Sequence, residues 1–132
     1  MNLLQKRLRS EEGFTLIELL VVMIIIGILV AIAVPSYLAF RGTAQDTAGK
    51  ADVRAAVPDA EEYFAQNNAY TGMTFGTLQA LDSGLSSKVT VSNVTVSHYC
   101  LSASGQTGKV WYYAGPGGGS AGTVTSVKPA GC

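Results

Sequence analysis

The stretch between Glu18 and Arg41 constrains the fold more than any other part of the sequence, because none of its 22 residues is charged. From Leu19 to Val34 the run is apolar, with Gly27 as the one residue that lacks a side chain. As an α-helix, the uncharged stretch would rise about 33 Å, which matches the hydrocarbon core of a bilayer. The sequence therefore predicts a membrane-spanning helix near the amino terminus.

Glu18 is a carboxylate at the start of this apolar run, and a simple membrane anchor does not need it. Placing an ionised acid in hydrocarbon costs several kcal/mol unless it finds a partner. We therefore interpret Glu18 as a functional residue whose partner carries a positive charge.

The stretch from Gly13 to Pro35 reads GFTLIELLVVMIIIGILVAIAVP. It resembles the amino-terminal signature of type IV pilins and type II secretion pseudopilins. The resemblance implies a class III signal peptide, with residues 1–13 as a leader. In this family a prepilin peptidase cuts between the residues that correspond to Gly13 and Phe14, and it methylates the new amine of Phe14. Cleavage would therefore create a cation near the carboxylate of Glu18, and an opposite charge lowers the cost of burying either group.

Two pairings of that amine remain open from the residues themselves. Phe14 and Glu18 are one helical turn apart, so a pair within one chain has suitable spacing. The family resemblance implies instead that Glu18 of one subunit meets the Phe14 amine of its neighbour during fibre assembly. Only the second pairing would set the register between subunits.

An ordinary secretory signal peptide is the main alternative, since Ala31-Ile32-Ala33 offers an A-x-A cleavage site after a basic amino-terminal region. Glu18 within the apolar segment argues against it, and so does the length of the run. A simple single-span anchor with no cut is a further alternative. The three interpretations predict three different amino termini: Phe14, Val34 or an uncut leader.

Charge indicates the orientation in the membrane. Lys6, Arg7 and Arg9 precede the apolar run, so the amino terminus is expected in the cytoplasm and the remainder is expected to be exported. Without residues 1–13 the chain keeps six basic and seven acidic residues, which gives no overall field for attracting nucleic acid. Nucleic acid is left open as a partner and has no motif in its favour.

The predicted fold class is α+β, with a long amino-terminal α-helical stem and a small antiparallel β-sheet head. Residues 14–40 form the hydrophobic transmembrane and assembly helix, and residues 41–68 continue the stem with apolar side chains at helical spacing on one face. Residues 69–132 form the head, in which periodicity changes to that of strands. The head should lie on the second half of the stem.

Three residues interrupt the predicted stem. Gly27 lowers helix propensity, and Pro35 removes the hydrogen bond to the carbonyl of Ala31. The resemblance implies that the segment containing Gly27 and Pro35 loses helix when filaments pack; a simple kink is the alternative. Pro58 predicts either a bend or the start of a new helix, and a bend is favoured.

The head contains several local predictions. A short helix is expected from Thr77 to Gly84, with Thr77 as its cap. The strand segments predicted by β-branched and alternating residues are Val89–Val96 as one or two strands separated near Ser92-Asn93, Ser97–Ala103, Val110–Tyr113 and Thr123–Val127.

Cys100 and Cys132 are the two cysteines of the chain. Export places them in oxidising surroundings, where they allow a single disulfide that closes the carboxy-terminal part of the head. Closing a loop of this length stabilises a fold by about 3–4 kcal/mol in the chain-entropy model.

Catalysis is not predicted. His98 and Cys100 would share one face of a strand, which is a spacing for a thiolate–imidazole nucleophile, but a disulfide removes the thiolate. One histidine and two cysteines fall short of a zinc site. Glu61 and Glu62 point in directions about 100° apart on a helix and do not converge. The sequence thus predicts no catalytic residue, no metal and no cofactor.

The resemblance implies a prepilin that is held in the cytoplasmic membrane by its stem and then polymerised into an extracellular fibre for adhesion, motility or DNA uptake. The implied partners are copies of itself, minor pilins, the prepilin peptidase, an inner-membrane assembly platform and an ATPase motor. A pseudopilin of a secretion or competence machine is the alternative within the family. A secreted or anchored binding module is the alternative from another class.

Overall fold

The computed structural model describes residues 13–132, so the predicted leader lies outside the described residues except for Gly13. Contacts divide the chain into two compact units, Met1–Ala39 and Phe40–Cys132. Each unit is described by itself below.

Helix α1 spans Leu16–Asn67 and is 52 residues long. The predicted start at Phe14 is two residues early, because Thr15 lies before the helix and caps it. Asn68 follows the last helical residue in a left-handed conformation with φ of 54° and donates its amide to the carbonyl of Phe64. This conformation, which Asn tolerates better than most residues, ends the helix at the predicted place.

Gly27, Pro35 and Pro58 lie inside α1 without ending it. A new helix does not start at Pro58, so that alternative is wrong. Near Pro35 the hydroxyl of Ser36 donates to the carbonyl of Ile32 at 3.2 Å. The loss of helix at Gly27 and Pro35 concerns the packed filament, and it stays a prediction.

Helix α2 spans Phe75–Leu81. Its cap is Thr74. The predicted cap, Thr77, instead occupies the third helical position, and its hydroxyl oxygen accepts a hydrogen bond from the Thr74 amide at 2.9 Å. Threonine serves at both positions of this reciprocal capping box, which is why Thr77 was predicted as the cap in place of Thr74. The helix ends before Asp82 and does not extend to Gly84.

Four antiparallel strands form one sheet in the order β1-β2-β3-β4. Their bounds are Val89–Ser92 for β1, Cys100–Ser104 for β2, Val110–Ala114 for β3 and Val124–Thr125 for β4. The predicted separation near Ser92-Asn93 agrees with the end of β1 at Ser92. The predictions of strand structure up to Val96 and of a strand beginning at Ser97 are wrong, because residues 93–99 connect β1 to β2 without strand structure. The predicted β3 is confirmed, with one further residue.

The core of the second unit lies between the carboxy-terminal half of α1, α2 and one face of the sheet. Val53, Ala56 and Ala60 on α1 are fully buried. These side chains are small, so the sheet approaches the helix closely enough for the larger Tyr99 and Leu101 to be buried as well. The predicted α+β class, with the sheet on the second half of the stem, is confirmed.

Candidate functional site

Thr15 and Glu18 form a hydrogen-bonded pair at the amino-terminal end of α1. The amide and the hydroxyl of Thr15 both donate to Oε2 of Glu18, at 2.9 and 3.0 Å. The Glu18 amide in turn donates to the Thr15 hydroxyl oxygen at 3.3 Å. This is a capping box, in which a threonine before the helix and a glutamate three residues later satisfy each other's amides.

Thr15 was not among the predicted site residues, although the Thr-x-x-Glu spacing before an apolar run signals a capping box. Its presence gives Glu18 a local structural function in addition to any charge pairing. An experiment on Glu18 must therefore separate its negative charge from its capping hydrogen bonds.

Gly13 and Phe14 precede the helix, and both are exposed. The Phe14 side chain is 89% exposed. A Cβ added at Gly13 would meet nothing within 4 Å, so no contact of the described chain demands glycine there. Within residues 13–132, the two residues that flank the bond between Gly13 and Phe14 are therefore exposed.

Apolar side chains cover the first half of α1 on all sides. Every residue from Gly13 to Arg41 is exposed, and the helix is long and apolar enough to cross a membrane by length and composition. A helix that is hydrophobic all round is stable only when lipid or other protein covers it. Glu18 is therefore placed at one end of a surface that requires a covering.

Glu61 lies in a second polar cluster, whereas the sequence indicated only that it does not converge with Glu62. Its carboxylate accepts a hydrogen bond from the Tyr99 hydroxyl at 2.9 Å and from the Tyr70 hydroxyl at 3.1 Å. Burial, together with the neighbouring Glu61 carboxylate, raises the pKa of Tyr70 to about 12 and raises that of Tyr99 as well. The cluster ties α1 to the head, because buried hydroxyls need an acceptor.

Cys100 and Cys132 form a disulfide with their Cα atoms 5.4 Å apart. Cys100 is therefore not a free nucleophile. His98 lies outside the strand, and its two ring nitrogens are each 2.9 Å from a carbonyl oxygen, those of Pro116 and Gly131. Across residues 13–132 no group of three or more His, Cys, Asp or Glu side chains is arranged to hold a metal ion.

Comparison with known proteins adds independent information. The family model described as the prokaryotic N-terminal methylation motif matches residues 8–34. The type IV wide pilus major component PilA4 of Thermus thermophilus is 41% identical, over 95% of this chain and 99% of its own length. No solved structure matches significantly.

Two other relatives match over shorter lengths. The type II secretion system core protein G of Pseudomonas aeruginosa is 40% identical over 55% of this chain and 51% of its own length. The type IV major pilin protein PilA of Myxococcus xanthus is 37% identical over 46% of this chain and 28% of its own length.

The methylation motif covers the site around Gly13, Phe14 and Glu18, and the Thermus relative aligns along nearly the whole chain. The α+β fold agrees with both. The chain belongs to the type IV pilin family, whose members are structural subunits and not enzymes.

Proposed function

We propose that this chain is the major subunit of a type IV pilus, made as a prepilin that is cut between Gly13 and Phe14. The observation that carries the proposal is the match along nearly the full length of a relative named as the major component of a type IV wide pilus. The same chain matches a pseudopilin over only about half of its length.

The exposed apolar surface of α1 is suited to two environments, a membrane and the interior of a fibre. Before assembly the first half of the helix lies in the cytoplasmic membrane, and after assembly neighbouring stems cover the same surface in an extracellular fibre. Lipid is as apolar as a neighbouring stem, so packing and polar contacts must favour the fibre. Extraction from the membrane is the work we assign to an assembly platform and an ATPase motor.

Glu18 supplies one such polar contact in this proposal. Prepilin peptidase produces a methylated amine at Phe14, and this cation pairs with the Glu18 carboxylate of a neighbouring subunit. The capping hydrogen bonds from Thr15 occupy Oε2 of Glu18 and leave Oε1 without a hydrogen bond among the described residues. A carboxylate accepts several hydrogen bonds, so capping and pairing are compatible.

Two substitutions separate these two functions of Glu18. Glu18→Gln keeps a residue that serves in a capping box but removes the charge, while Thr15→Ala removes the cap but keeps the charge. We expect Glu18→Gln to reduce the fibre recovered by shearing at least about tenfold, a change of about 1.4 kcal/mol in assembly. Thr15→Ala should retain most of the fibre.

The measurement is the ratio of the subunit in sheared fibres to the subunit in membranes, together with the mass of the mature amino terminus. We expect a methylated Phe14 terminus in the parent chain and in both variants. Gly13→Leu serves as the processing control and should leave the leader attached. Normal fibre yield from Glu18→Gln would contradict the charge pair, and a mature terminus at Val34 would contradict the prepilin assignment.

A pseudopilin is the second candidate, favoured by the similarity to the type II secretion core protein G. It predicts the same Phe14 terminus but little of the chain in long surface fibres. Recovery of this chain as the principal protein of sheared fibres would exclude it.

A further inference from the structure

Three carboxylates form an acidic flank on one side of the second unit: Asp59, Glu62 and Asp82. Asp59 is only 9% exposed, and its Oδ2 is buried without a hydrogen-bond partner. Burial raises the pKa of Asp59, and the charges of Asp82 and Glu62 raise it further. Within the described residues no lysine or arginine forms an ion pair with these acids, so their negative charge is uncompensated.

Arg54 lies in a groove of about 400 Å³ between α1 and the other edge of the sheet. The groove, named here the Arg54 groove, is lined by Arg54, Val57, Pro58, Tyr113 and residues 122–124. Arg54 is exposed, and in the described part of the chain no carboxylate pairs with its guanidinium. The groove thus presents an unmatched positive charge beside a lining of mixed polar and apolar character.

Asp59 and the Arg54 groove face different directions. At about 100° per residue, Asp59 lies about 140° around α1 from Arg54, whereas Glu62 lies about 80° from it. The segment after α2 crosses the side of Asp59, since Ser86 donates to Asp52 at 3.1 Å and Asp52 and Asp59 are about 20° apart around the helix axis. The groove is instead bordered by β3 and β4, at the opposite end of the strand order from β1.

We infer that the acidic flank of one subunit docks against the Arg54 groove of a neighbouring copy, with Asp82 as the carboxylate that meets Arg54. Asp82 is exposed, and among the described residues only its Oδ1 is used, where it accepts from the Gly84 amide at 2.8 Å. The occupant is a second copy because the same molecule carries both unmatched charges. Two different surfaces meeting in this way make a heterologous contact, which can continue without closing.

This contact rests on the proposed function, since it joins subunits of a fibre. The stems alone provide apolar contacts that are weakly directional, because the hydrophobic effect depends on area and not on orientation. Charge complementarity at the heads would fix which faces of neighbouring subunits meet. The head contact therefore specifies rotation about the fibre, in addition to any register set at Glu18.

Charge reversal tests the contact in the full-length chain. Arg54→Glu and Asp82→Lys should each lower the sheared-to-membrane ratio about tenfold or more, because like charges then face each other. The combined variant should recover to within about threefold of the parent chain. Lys128 is exposed and does not line the groove. Lys128→Glu makes the same change of charge outside both surfaces and should keep the parent yield.

Rescue distinguishes the contact from damage to folding, since a second charge reversal does not repair an unfolded head. Unchanged yield from either single reversal would overturn the inference, and so would a double variant no better than the weaker single one. If the parent chain itself formed no fibre, the proposed function would fail instead.

Cross-linking provides a second measurement that does not depend on rescue. Arg54→Cys combined with Asp82→Cys should give a ladder of disulfide-linked multimers in fibres, and each single variant should give none. Covalent dimers from a single variant would indicate that identical surfaces meet, which would contradict a heterologous contact.

Discussion

Asp59 and Glu61 are two residues apart on α1, but their carboxylates differ in burial and in hydrogen bonding. Glu61 is exposed yet accepts hydrogen bonds from two tyrosine hydroxyls, whereas Oδ2 of Asp59 is buried with no partner. A buried polar atom without a partner costs about 1–3 kcal/mol. Asp59 is therefore expected to reduce the stability of the head when it is ionised.

The direction of the pH dependence follows from the raised pKa of Asp59, whose main cause is burial. The folded state holds the proton of the Asp59 carboxyl group more tightly than the unfolded chain does. The stabilisation that comes from protonated Asp59 is therefore complete below the unfolded pKa, near 3.9, and is lost as the pH rises through the folded pKa. We expect Asp59→Asn to raise the Tm by a few degrees at pH 7 and by less at pH 4.

Thermal denaturation of the full-length chain in detergent at both pH values measures this difference. Asp52→Asn is the matched control, because Asp52 already accepts a hydrogen bond from Ser86 and its loss should not stabilise the head. An Asp59→Asn variant that melted below the parent chain at pH 7 would show that the carboxylate is stabilising.

At the scale of elements, the hairpin between β2 and β3 packs directly against α1. Thr107 at its tip donates its hydroxyl to the Asp46 carboxylate, at 2.6 Å from Oδ2. A Cβ added at Gly49 would lie 3.2 Å from the Gly105 amide nitrogen, so glycine on the helix allows the turn to come close. Helix and hairpin thus fit together through glycines on both sides.

Gly105 provides the prediction for this contact. A Cβ there would lie 2.8 Å from the Asp46 Cα, which real Cβ atoms do not tolerate, and backbone on both sides leaves little room to adjust. We expect Gly105→Ala to destabilise the head by about 1–3 kcal/mol, as measured by thermal or denaturant unfolding.

Gly76→Ala is the control for this substitution, because its nearest neighbour would be 3.8 Å away and alanine favours the α2 helix. It should be neutral or slightly stabilising. Equal stability of Gly105→Ala and the parent chain would mean that the hairpin can move away from α1 without loss.

At the scale of the whole molecule, the end of the chain is held to the head by covalent and polar contacts together. The disulfide joins residues 32 positions apart. Near it, Asn93 donates its side-chain amide to the carbonyls of Gly131 and Cys132, at 2.9 and 2.8 Å. A head with a small core depends strongly on such constraints.

We expect Cys132→Ser to lower the stability of the head by about 3 kcal/mol, because the unfolded chain gains the entropy of an open loop. Reductant should lower the Tm of the parent chain to about that of the Cys132→Ser variant, and it should leave the Tm of the variant unchanged. A variant that melted like the oxidised parent would show that the hydrogen bonds at Asn93 hold the end of the chain without the disulfide.

Much of the fold was predictable because local patterns were strong. The apolar run, the change from helical to strand periodicity and the aromatic β3 each indicated the observed element. The errors lay where side-chain hydrogen bonds decided the outcome: Thr74 and Thr77 set the start of α2, and residues 93–99 left the strand pattern to contact the carboxy-terminal segment.

The sequence by itself determined the apolar run that is long enough to cross a membrane, and it predicted the processing site, because Gly13, Phe14, Glu18 and that run are local features of chemistry and composition. Only the tertiary structure decided which polar groups are left without a partner. Residues distant in sequence decide whether Asp59 Oδ2 has a hydrogen-bond donor and whether Arg54 and Asp82 have an opposite charge beside them. Periodicity does not report such contacts. The capping box at Thr15 was readable from spacing, whereas the unmatched charges on two sides of α1 required the folded head.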